Sequence, residues 1–409
     1  MIKIVPKVRM AGVVVMIRPK KIHSCRKQNK DGLQQEFREL SLEEVNLPVS
    51  VVETTPAEIQ QIVRGPKERF SGNLTYNLNR LSLRLRGSSF KMEQFLVGSG
   101  APKKVVIAYL HDVAEQEVLK EVKARIGGIQ AETILDSSYI ERNIEDSGLS
   151  PFPQVEITQR PDIAESALFQ GRIAVLVENS PDVLLVPATF FDQMDTPDDA
   201  YSRWFIASSF FRIARYIMFI LAASLPGFYI ALTSFNPEMI PTKLAFLIAG
   251  SREATPFPVY FEAFLLMGVA EAVRMMMVRL PTQLSSTIAL FAGITLIGAG
   301  IAARIISIPI TMIATLTLIS SYGIPNSDLR RSVRLIQFFT MVMATVLGLF
   351  GFAMAFIYIF IHLAALKSFG LPYMSPLSPL EGSGWGHTIL RENTIKMQRD
   401  ETYKPVPEK

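Results

Sequence analysis

The chain has 409 residues, a formal net charge of +5, 49% hydrophobic residues and one cysteine, Cys25. One cysteine cannot form a disulfide framework or a CxxC metal site, and the four histidines lack zinc-like spacing. The basic residues cluster beside apolar stretches and do not alternate with aromatic residues, a pattern typical of membrane-topology signals and not of nucleic-acid binding.

Hydrophobicity is unevenly distributed along the chain. Residues 1–205 mix charges with short apolar runs, whereas residues 205–370 contain several apolar stretches of about 18 residues or more, the length that crosses a bilayer core. We therefore predict an α+β membrane protein, with a soluble α/β domain over 56–204 and a polytopic helical transmembrane domain over 205–370. Residues 1–55 are read as a tail or partial domain, and 371–409 as a cytoplasmic polar tail.

The soluble half carries the patterns of a small α/β domain. Residues 105–110 form an apolar run typical of a buried strand, and 115–126 have apolar residues at helical spacing. Two further apolar runs, 173–177 and 183–187, flank turn-forming residues and predict a hairpin in a mixed sheet. The domain has no GxGxxG, Walker or GxSxG motif, so neither an enzyme nor a cofactor or metal site is predicted.

The first predicted span covers about 214–234. Arg203, Arg212 and Arg215 stand on its N-terminal side, and no basic residue follows closely on the other side until Lys243. Positive charge favours the cytoplasmic side of a span, so the soluble half is predicted to be cytoplasmic.

Prolines in and after this span suggest points of movement. Pro226 and Gly227 lie near its middle, where the missing N–H must be replaced by another partner. A static kink and a hinge both fit this pair. Pro237 and Pro241 bound the following loop and are the other candidate hinge residues.

The next stretch combines short apolar runs with charges. Residues 244–250 are too few to cross a bilayer and predict a re-entrant or interfacial segment, with Glu253 near its polar boundary. The helix that follows contains Glu262, Glu271 and Arg274. The two glutamates are nine residues apart and point to opposite sides, whereas Glu271 and Arg274 can pair. Either the helix lies at the interface or its charges, with Glu253, line a water-filled, gated path.

Three more apolar stretches complete the second half. Two spans lie between 285 and 322, and the arginine-rich loop after them is predicted to be cytoplasmic. The stretch 335–366 is too long for one span and short for two, and Gly348 or Gly351 can break it. Whether it crosses once or turns back is left open by the sequence. His362 near its end is interpreted as interfacial, not as a proton relay.

Several ordered motifs resemble those of the A-subunit family of GerA-type spore germinant receptors, to which SpoVAF is also related. These motifs are Val63-Arg-Gly-Pro-Lys-Glu-Arg-Phe70, Ile134-Leu-Asp-Ser-Ser137, Pro151-Phe-Pro153, Arg160-Pro-Asp162, Val186-Pro-Ala-Thr-Phe190, Tyr229-Ile-Ala-Leu-Thr233, Pro237-Glu-Met-Ile-Pro-Thr242, Ser251-Arg-Glu253, Pro256-Phe-Pro258, Arg279-Leu-Pro281 and Lys367-Ser-Phe-Gly-Leu-Pro-Tyr373. Residues 1–55 match the family poorly, and Met275-Met-Met-Val278 replaces a common Glu-Ala-Gly run.

The resemblance implies a multi-pass protein of the spore inner membrane that senses nutrients without catalysis. In such receptors the A subunit works with a permease-like B subunit and a lipoprotein C subunit, within membrane lipid. The resemblance also implies a homo-oligomer that forms or gates an ion-conducting path. The alternative is a non-conducting structural or regulatory scaffold of the SpoVAF kind.

Overall fold

A computed structural model describes residues 38–39, 68–86, 89–196, 205–279 and 282–378. They form a domain built on one sheet, here called the sheet domain, and a bundle of helices. The predictions for most of residues 1–55, for Arg203 and for the tail beyond residue 378 lie outside the described residues.

The sheet domain places helices on both faces of a six-stranded sheet. Its strands are β1 Arg38–Glu39, β2 Phe90–Val97, β3 Lys103–Leu110, β4 Glu156–Thr158, β5 Ile173–Val177 and β6 Val183–Val186. Its helices are α1 Leu74–Arg84, α2 Gln116–Gly127, α3 Ser137–Ile144, α4 Pro161–Phe169 and α5 Phe190–Met194. The predicted strand at 105–110, the helix after it and the hairpin at 173–187 are confirmed.

The prediction of a mixed sheet is wrong. The strand order is β1-β2-β3-β5-β6-β4, and every neighbouring pair is antiparallel. A strand followed by a helix predicts a parallel pair of strands only when that helix leads directly into the neighbouring strand. Here two helices, the edge strand β4 and then α4 separate β3 from β5, and β5 enters the sheet in the opposite direction.

Strand β3 shows why the sheet needs two layers of helices. Val105, Ile107 and Tyr109 belong to the apolar cluster shared with α2 and α3, whereas Val106 and Leu110 belong to the cluster shared with α1 and α4. Successive side chains of a strand point to opposite faces, so a continuous apolar run is stable only between two covering layers.

The second half consists of helices joined by short turns. They are α6 Phe205–Phe235, a 3-10 turn at Pro237–Met239, α7 Thr242–Arg252, α8 Val259–Arg279, α9 Thr282–Ala302, α10 Ile308–Tyr322 and α11 Ser327–Ala365. Within the described residues, two stretches are long and apolar enough to cross a membrane, Ser208–Phe235 and Ser327–Ala365. Helix α7, over the stretch predicted to be too short to cross, has 11 residues.

Helix α11 reverses its direction at Gly348. The φ angle of Gly348 is 61° and its ψ is −140°, a combination open to glycine and strained for other residues. The rings of Phe339 and Tyr358 lie 5.9 Å apart, whereas a straight helix would separate them by about 28 Å. The long segment is therefore a helical hairpin of two arms, α11a over 327–347 and α11b over 349–365.

The reversal answers the question that the sequence left open. Ser332 on α11a and His362 on α11b both contact the loop at 150–151 of the sheet domain. The bundle thus has a domain side, where α6 begins and α11b ends, and a far side at Gly348. The segment after α11b lies on the domain side. However, Leu371 and Tyr373, counted with the predicted polar tail, are buried.

Replacing Gly348 by alanine is expected to destabilise the hairpin. An added Cβ would lie 2.7 Å from the ring of Phe235 and would have to adopt a glycine-type backbone conformation. Such strain costs about 1–3 kcal/mol, so the thermal midpoint of the detergent-solubilised chain should fall. Gly293→Ala in α9, where an added Cβ meets nothing within 4 Å, is the matched control. Equal midpoints for the two variants would contradict the reversal.

Candidate functional site

Glu262, the first candidate gating residue, is completely buried on the far side of the bundle. The N–H and Oγ of Ser307 donate to Oε2 of Glu262 at 3.0 and 2.7 Å, and Arg252 Nη2 donates to Oε1 at 3.2 Å. Thr255 Oγ1 lies 3.4 Å from Oε1 and donates its proton to the Arg252 carbonyl oxygen at 2.9 Å. We call these four residues the Glu262 clamp. It joins the end of α7, the start of α8 and the residue before α10.

The clamp follows from local structure at each of its corners. Ser307 is the N-cap residue of α10 and is followed by Ile308 and Pro309. Its N–H has no acceptor within the helix and donates to the Glu262 carboxylate, which also lies at the positive end of the helix. Sequence reasoning missed Ser307, although a serine before Ile-Pro is a typical helix-start signal. It also missed the pairing of Arg252 with Glu262, because only the folded loop brings them together.

Glu271 and Arg274 form a second charged cluster, on the domain side of the bundle. The predicted pair is present, with Arg274 Nη1 2.9 Å from Glu271 Oε2. Arg334 of α11a contacts the other oxygen of Glu271, also at 2.9 Å. Glu262 lies in the first turn of α8, and Glu271 lies nine residues, about two and a half turns, further along it. Sequence reasoning had no signal for Arg334, which is 63 positions from Glu271.

Pro226 lies inside a helix that continues without interruption. Thr340 Oγ1 lies 2.9 Å from the carbonyl oxygen of Ala223, one turn before the proline, and 2.8 Å from the carbonyl oxygen of Gln337 in its own helix, so these two oxygens share its one proton. An added Cβ on Gly227 would lie 3.0 Å from the Thr340 carbonyl oxygen, so glycine permits the close approach of α6 and α11a. The Thr340 hydroxyl thus packs against α6 beside the turn in which the proline removes one helical N–H.

The remaining candidates lie on the far side. Pro237 begins the 3-10 turn, and Pro241 is the N-cap residue of α7. Glu253 is the C-cap residue of α7 and is exposed. The structure therefore separates Glu253 from the buried clamp, although Arg252 next to it takes part. Within the described residues, no group of three or more metal-binding side chains is present.

The junction between the sheet domain and the bundle is a dense set of polar contacts. Asn326, which caps α11, donates to Gln193 of the sheet domain, and Arg212 of α6 pairs with Asp195 at 2.9 Å. His362 meets the hydroxyl of Ser150 at 2.9 Å. His362 therefore lies at the contact between the sheet domain and the bundle, and its predicted place at the membrane interface stays a prediction. The domain therefore contacts both α6 and both arms of α11.

The segment after α11b returns to the sheet domain. Strands β7 Lys367–Ser368 and β8 Leu371–Pro372 form a small hairpin. The Ser368 hydroxyl donates to the Gln154 carbonyl oxygen at 2.8 Å and accepts from the Ala188 N–H at 3.2 Å. Asp146 accepts the Phe369 N–H at 2.6 Å. This return segment ties the end of α11b to two loops of the domain.

A cavity of about 640 Å³ lies beside the return segment. Arg125 lines it, with its guanidinium 4.6 Å from the centre of the Phe369 ring and hydrogen bonds to Glu121, Asp146 and the Ile144 carbonyl oxygen. His362 at its edge is bound to Ser150. Arg125 and His362 thus already have hydrogen-bond partners, and their bonds stabilise the contact between the sheet domain and the bundle.

A glutamate of the sheet domain faces the start of α11 across the junction. Burial is the main cause that raises the pKa of Glu141 to about 7, and the carboxylates of Glu145 and Asp328 act in the same direction. The positive charge of Arg331 lowers this pKa. The contact between domain and bundle therefore contains a carboxyl group that gains charge near neutral pH.

Comparison with known proteins decides the family. The sequence profile described as "Bacillus/Clostridium GerA spore germination protein" matches residues 49–403. The chain belongs to the GerA family. It is 38% identical to spore germination protein A1 of Bacillus subtilis, over 79% of this chain and 67% of the relative. It is 36% identical to the uncharacterized membrane protein YfkQ of Bacillus subtilis, over 79% of this chain and 63% of the relative.

Other relatives give the same family. This GerA-family chain is 36% identical to spore germination protein KA of Bacillus subtilis, over 80% of the chain and 60% of the relative, so it spans about two thirds of the relatives it matches.

The crystal structure of the N-terminal domain of the A subunit of the Bacillus megaterium spore germinant receptor GerK3 is 32% identical. It covers 30% of this chain and 98% of that chain, with a TM-score of 0.26.

Stability of this GerA-family chain is expected to fall as pH rises from about 5 to 8. Glu141 binds its proton more tightly when folded than when unfolded, where a glutamate has a pKa of about 4.3, so ionisation weakens the fold. Glu141→Gln removes this penalty. Its thermal midpoint should match that of the parent chain near pH 5 and exceed it increasingly towards pH 8. The exposed Glu117→Gln is the control; parallel pH curves for parent and Glu141→Gln would contradict the assignment.

Proposed function

We propose that this chain is the A subunit of a nutrient germinant receptor in the spore inner membrane. In this proposal it acts with a permease-like B subunit and a lipoprotein C subunit, forms a homo-oligomer and forms or gates an ion path. It is a receptor component and not an enzyme. Membership of the GerA family supports the role, and the observation that carries the mechanism is the contact of one soluble domain with both arms of α11 on the domain side of the bundle.

The course of the helices supports a multi-pass protein with six crossings. In this proposal α6 leaves the domain side and α8 returns, which is supported by the Glu262 clamp near the start of α8 and by the Glu271–Arg334 pair further along it. Helices α9 and α10 form the next pair, and the two arms of α11 the last. Apolar α7 stays on the far side, where it is too short to cross.

The distribution of positive charge supports a cytoplasmic sheet domain. Arg212 and Arg215 lie near the start of α6, and Arg330, Arg331 and Arg334 lie near the start of α11a, all on the domain side. Positive charges near the ends of spans favour the cytoplasmic face. In a spore the cytoplasmic face of the inner membrane is the face towards the core.

The junction supplies a route from the sheet domain to the bundle. A change at Gln193 or Ser150 moves contacts on α11a and α11b together, because both arms meet the domain. A ligand or partner subunit shifts such an equilibrium only if it binds one arrangement more tightly than the other. We infer that the domain passes the state of the B and C subunits to the helices.

We infer that the Glu262 clamp keeps the far side closed. Its carboxylate is desolvated and held by Arg252 and Ser307, so separating α8 from α10 leaves a buried charge without partners. Pro226 and Gly227, packed against Thr340, are the proposed hinge of α6. Pro237 and Pro241 are proposed to let α7 move with the clamp. Glu253, Glu271 and Arg274 remain gating candidates.

Scaffolding is the second candidate function. The clamp, the junction and the charged cluster at Glu271 are all closed by partners within one chain, which also suits a rigid element that organises other subunits. In that case the helices do not conduct ions themselves.

Glu262→Gln is expected to increase ion flux through liposomes that contain the chain with its B and C partners and nutrient. Hydrogen bonds to a charged group contribute about 1.5–3 kcal/mol, so losing the charge should favour the open state by tenfold or more. Flux is measured with a potassium-sensitive dye. Glu253→Gln is the matched control, because Glu253 is an exposed glutamate nine positions away.

The outcomes separate the two functions. Flux that requires the chain and rises in Glu262→Gln but not in Glu253→Gln supports a conducting or gating subunit. Flux that is the same in all three proteins would exclude the clamp as a gate. Absence of flux with partners and nutrient present would leave the scaffold as the better proposal.

A further inference from the structure

The domain side of the bundle carries a group of arginines that its single glutamate does not neutralise. Arg274 and Arg334 share Glu271, and Arg330 lies one helical turn before Arg334 on α11a, where the charges of both other arginines act on it. Three guanidinium groups and one carboxylate leave a surplus of two positive charges. We call these four residues the arginine cluster. Like charges held this closely are stabilised by an anion.

The arginine cluster also has unused donor capacity. Arg274 Nε is buried and has no hydrogen-bond partner among the described residues. Arg330 directs Nε and Nη2 to the carbonyl oxygen of Ile324 at 3.3 and 2.7 Å. A guanidinium has five donors, which suit the oxygens of a phosphate group.

The surroundings of the cluster are those of a membrane interface. Arg274 is followed by Met275 and Met276, each 62% exposed, and Arg334 by Leu335, also 62% exposed. The guanidinium of Arg330 lies 5.6 Å from the centre of the half-exposed Tyr322 ring. An anion bound here therefore lies beside large apolar side chains. The acyl chains of a phospholipid would cover these side chains, whereas a free phosphate would leave them exposed.

We propose that the arginine cluster binds the phosphate group of an anionic phospholipid in the leaflet on the domain side. The phosphate lies between Arg274, Arg330 and Arg334, and the acyl chains lie along Met275 and Leu335. The bound lipid stabilises the contact between α8 and α11a on the side where the sheet domain meets the bundle. The proposal rests on membrane insertion of these helices and not on ion conduction.

Lipid binding is tested by native mass spectrometry of the full chain in non-ionic detergent, titrated with dioleoyl phosphatidylglycerol or dioleoyl phosphatidylcholine. The parent chain should bind phosphatidylglycerol preferentially. Arg274→Gln and Arg334→Gln should each weaken that binding by about fivefold, the effect of one positive charge near an anionic lipid surface. Arg331→Gln is the matched control, because Arg331 is 69% exposed and pairs with Asp328 outside the cluster.

The Glu271→Gln variant is expected to change the affinity for phosphatidylglycerol in the opposite direction. It also keeps the test valid if an arginine variant fails to fold. Removing the carboxylate raises the surplus charge of the cluster, so binding of phosphatidylglycerol should strengthen by about fivefold. A purely structural role of Glu271 predicts weaker or unchanged binding, and either result would overturn the proposal.

Two further results would also overturn it. They are equal binding of the two lipids by the parent chain, and displacement of phosphatidylglycerol by inorganic phosphate at the same concentration. Loss of ion flux in the liposome assay has no bearing on this binding, so the two proposals fail separately.

Discussion

The return of the chain at Gly348 is the constraint on which the arrangement of the bundle depends. One residue in a glycine-type conformation converts an apolar stretch of more than 30 residues into two antiparallel arms. Both arms then end at the sheet domain, with Ser332 and His362 meeting neighbouring residues of one loop. A straight helix would carry the return segment to the opposite side, and the small hairpin at Lys367–Pro372 could not pack on the domain.

The charged residues of α8 are stable inside the bundle because each lies where partners converge. Glu262 receives donors from Arg252 and Ser307 and has no contact with solvent, whereas Glu271 is held between Arg274 and Arg334. A buried carboxylate without such donors would be protonated or would destabilise the helix. Two points on α8, about two and a half turns apart, thus contact different helices, so α8 connects the Glu262 clamp on the far side with α11a.

Local patterns were sufficient wherever a residue and its partner are close in sequence. The strand at 105–110, the hairpin at 173–187 and the pair of Glu271 with Arg274 follow from spacing alone and are present. The same patterns failed for the direction of β5, since strand direction depends on the whole path between strands. They also left the partners of Glu262 unknown, because Ser307 is 45 positions away.

The sequence by itself determined that this chain joins a sheet domain to apolar helices, that it carries the motifs of its family and that a glycine can break its last long apolar stretch. Only the tertiary structure decided which charges meet and which side of the bundle each helix end occupies. The physical reason is that hydrophobic periodicity and helix signals act over a few residues. Burial of Glu262 and the return to the sheet domain depend on contacts between helices that are distant in the chain.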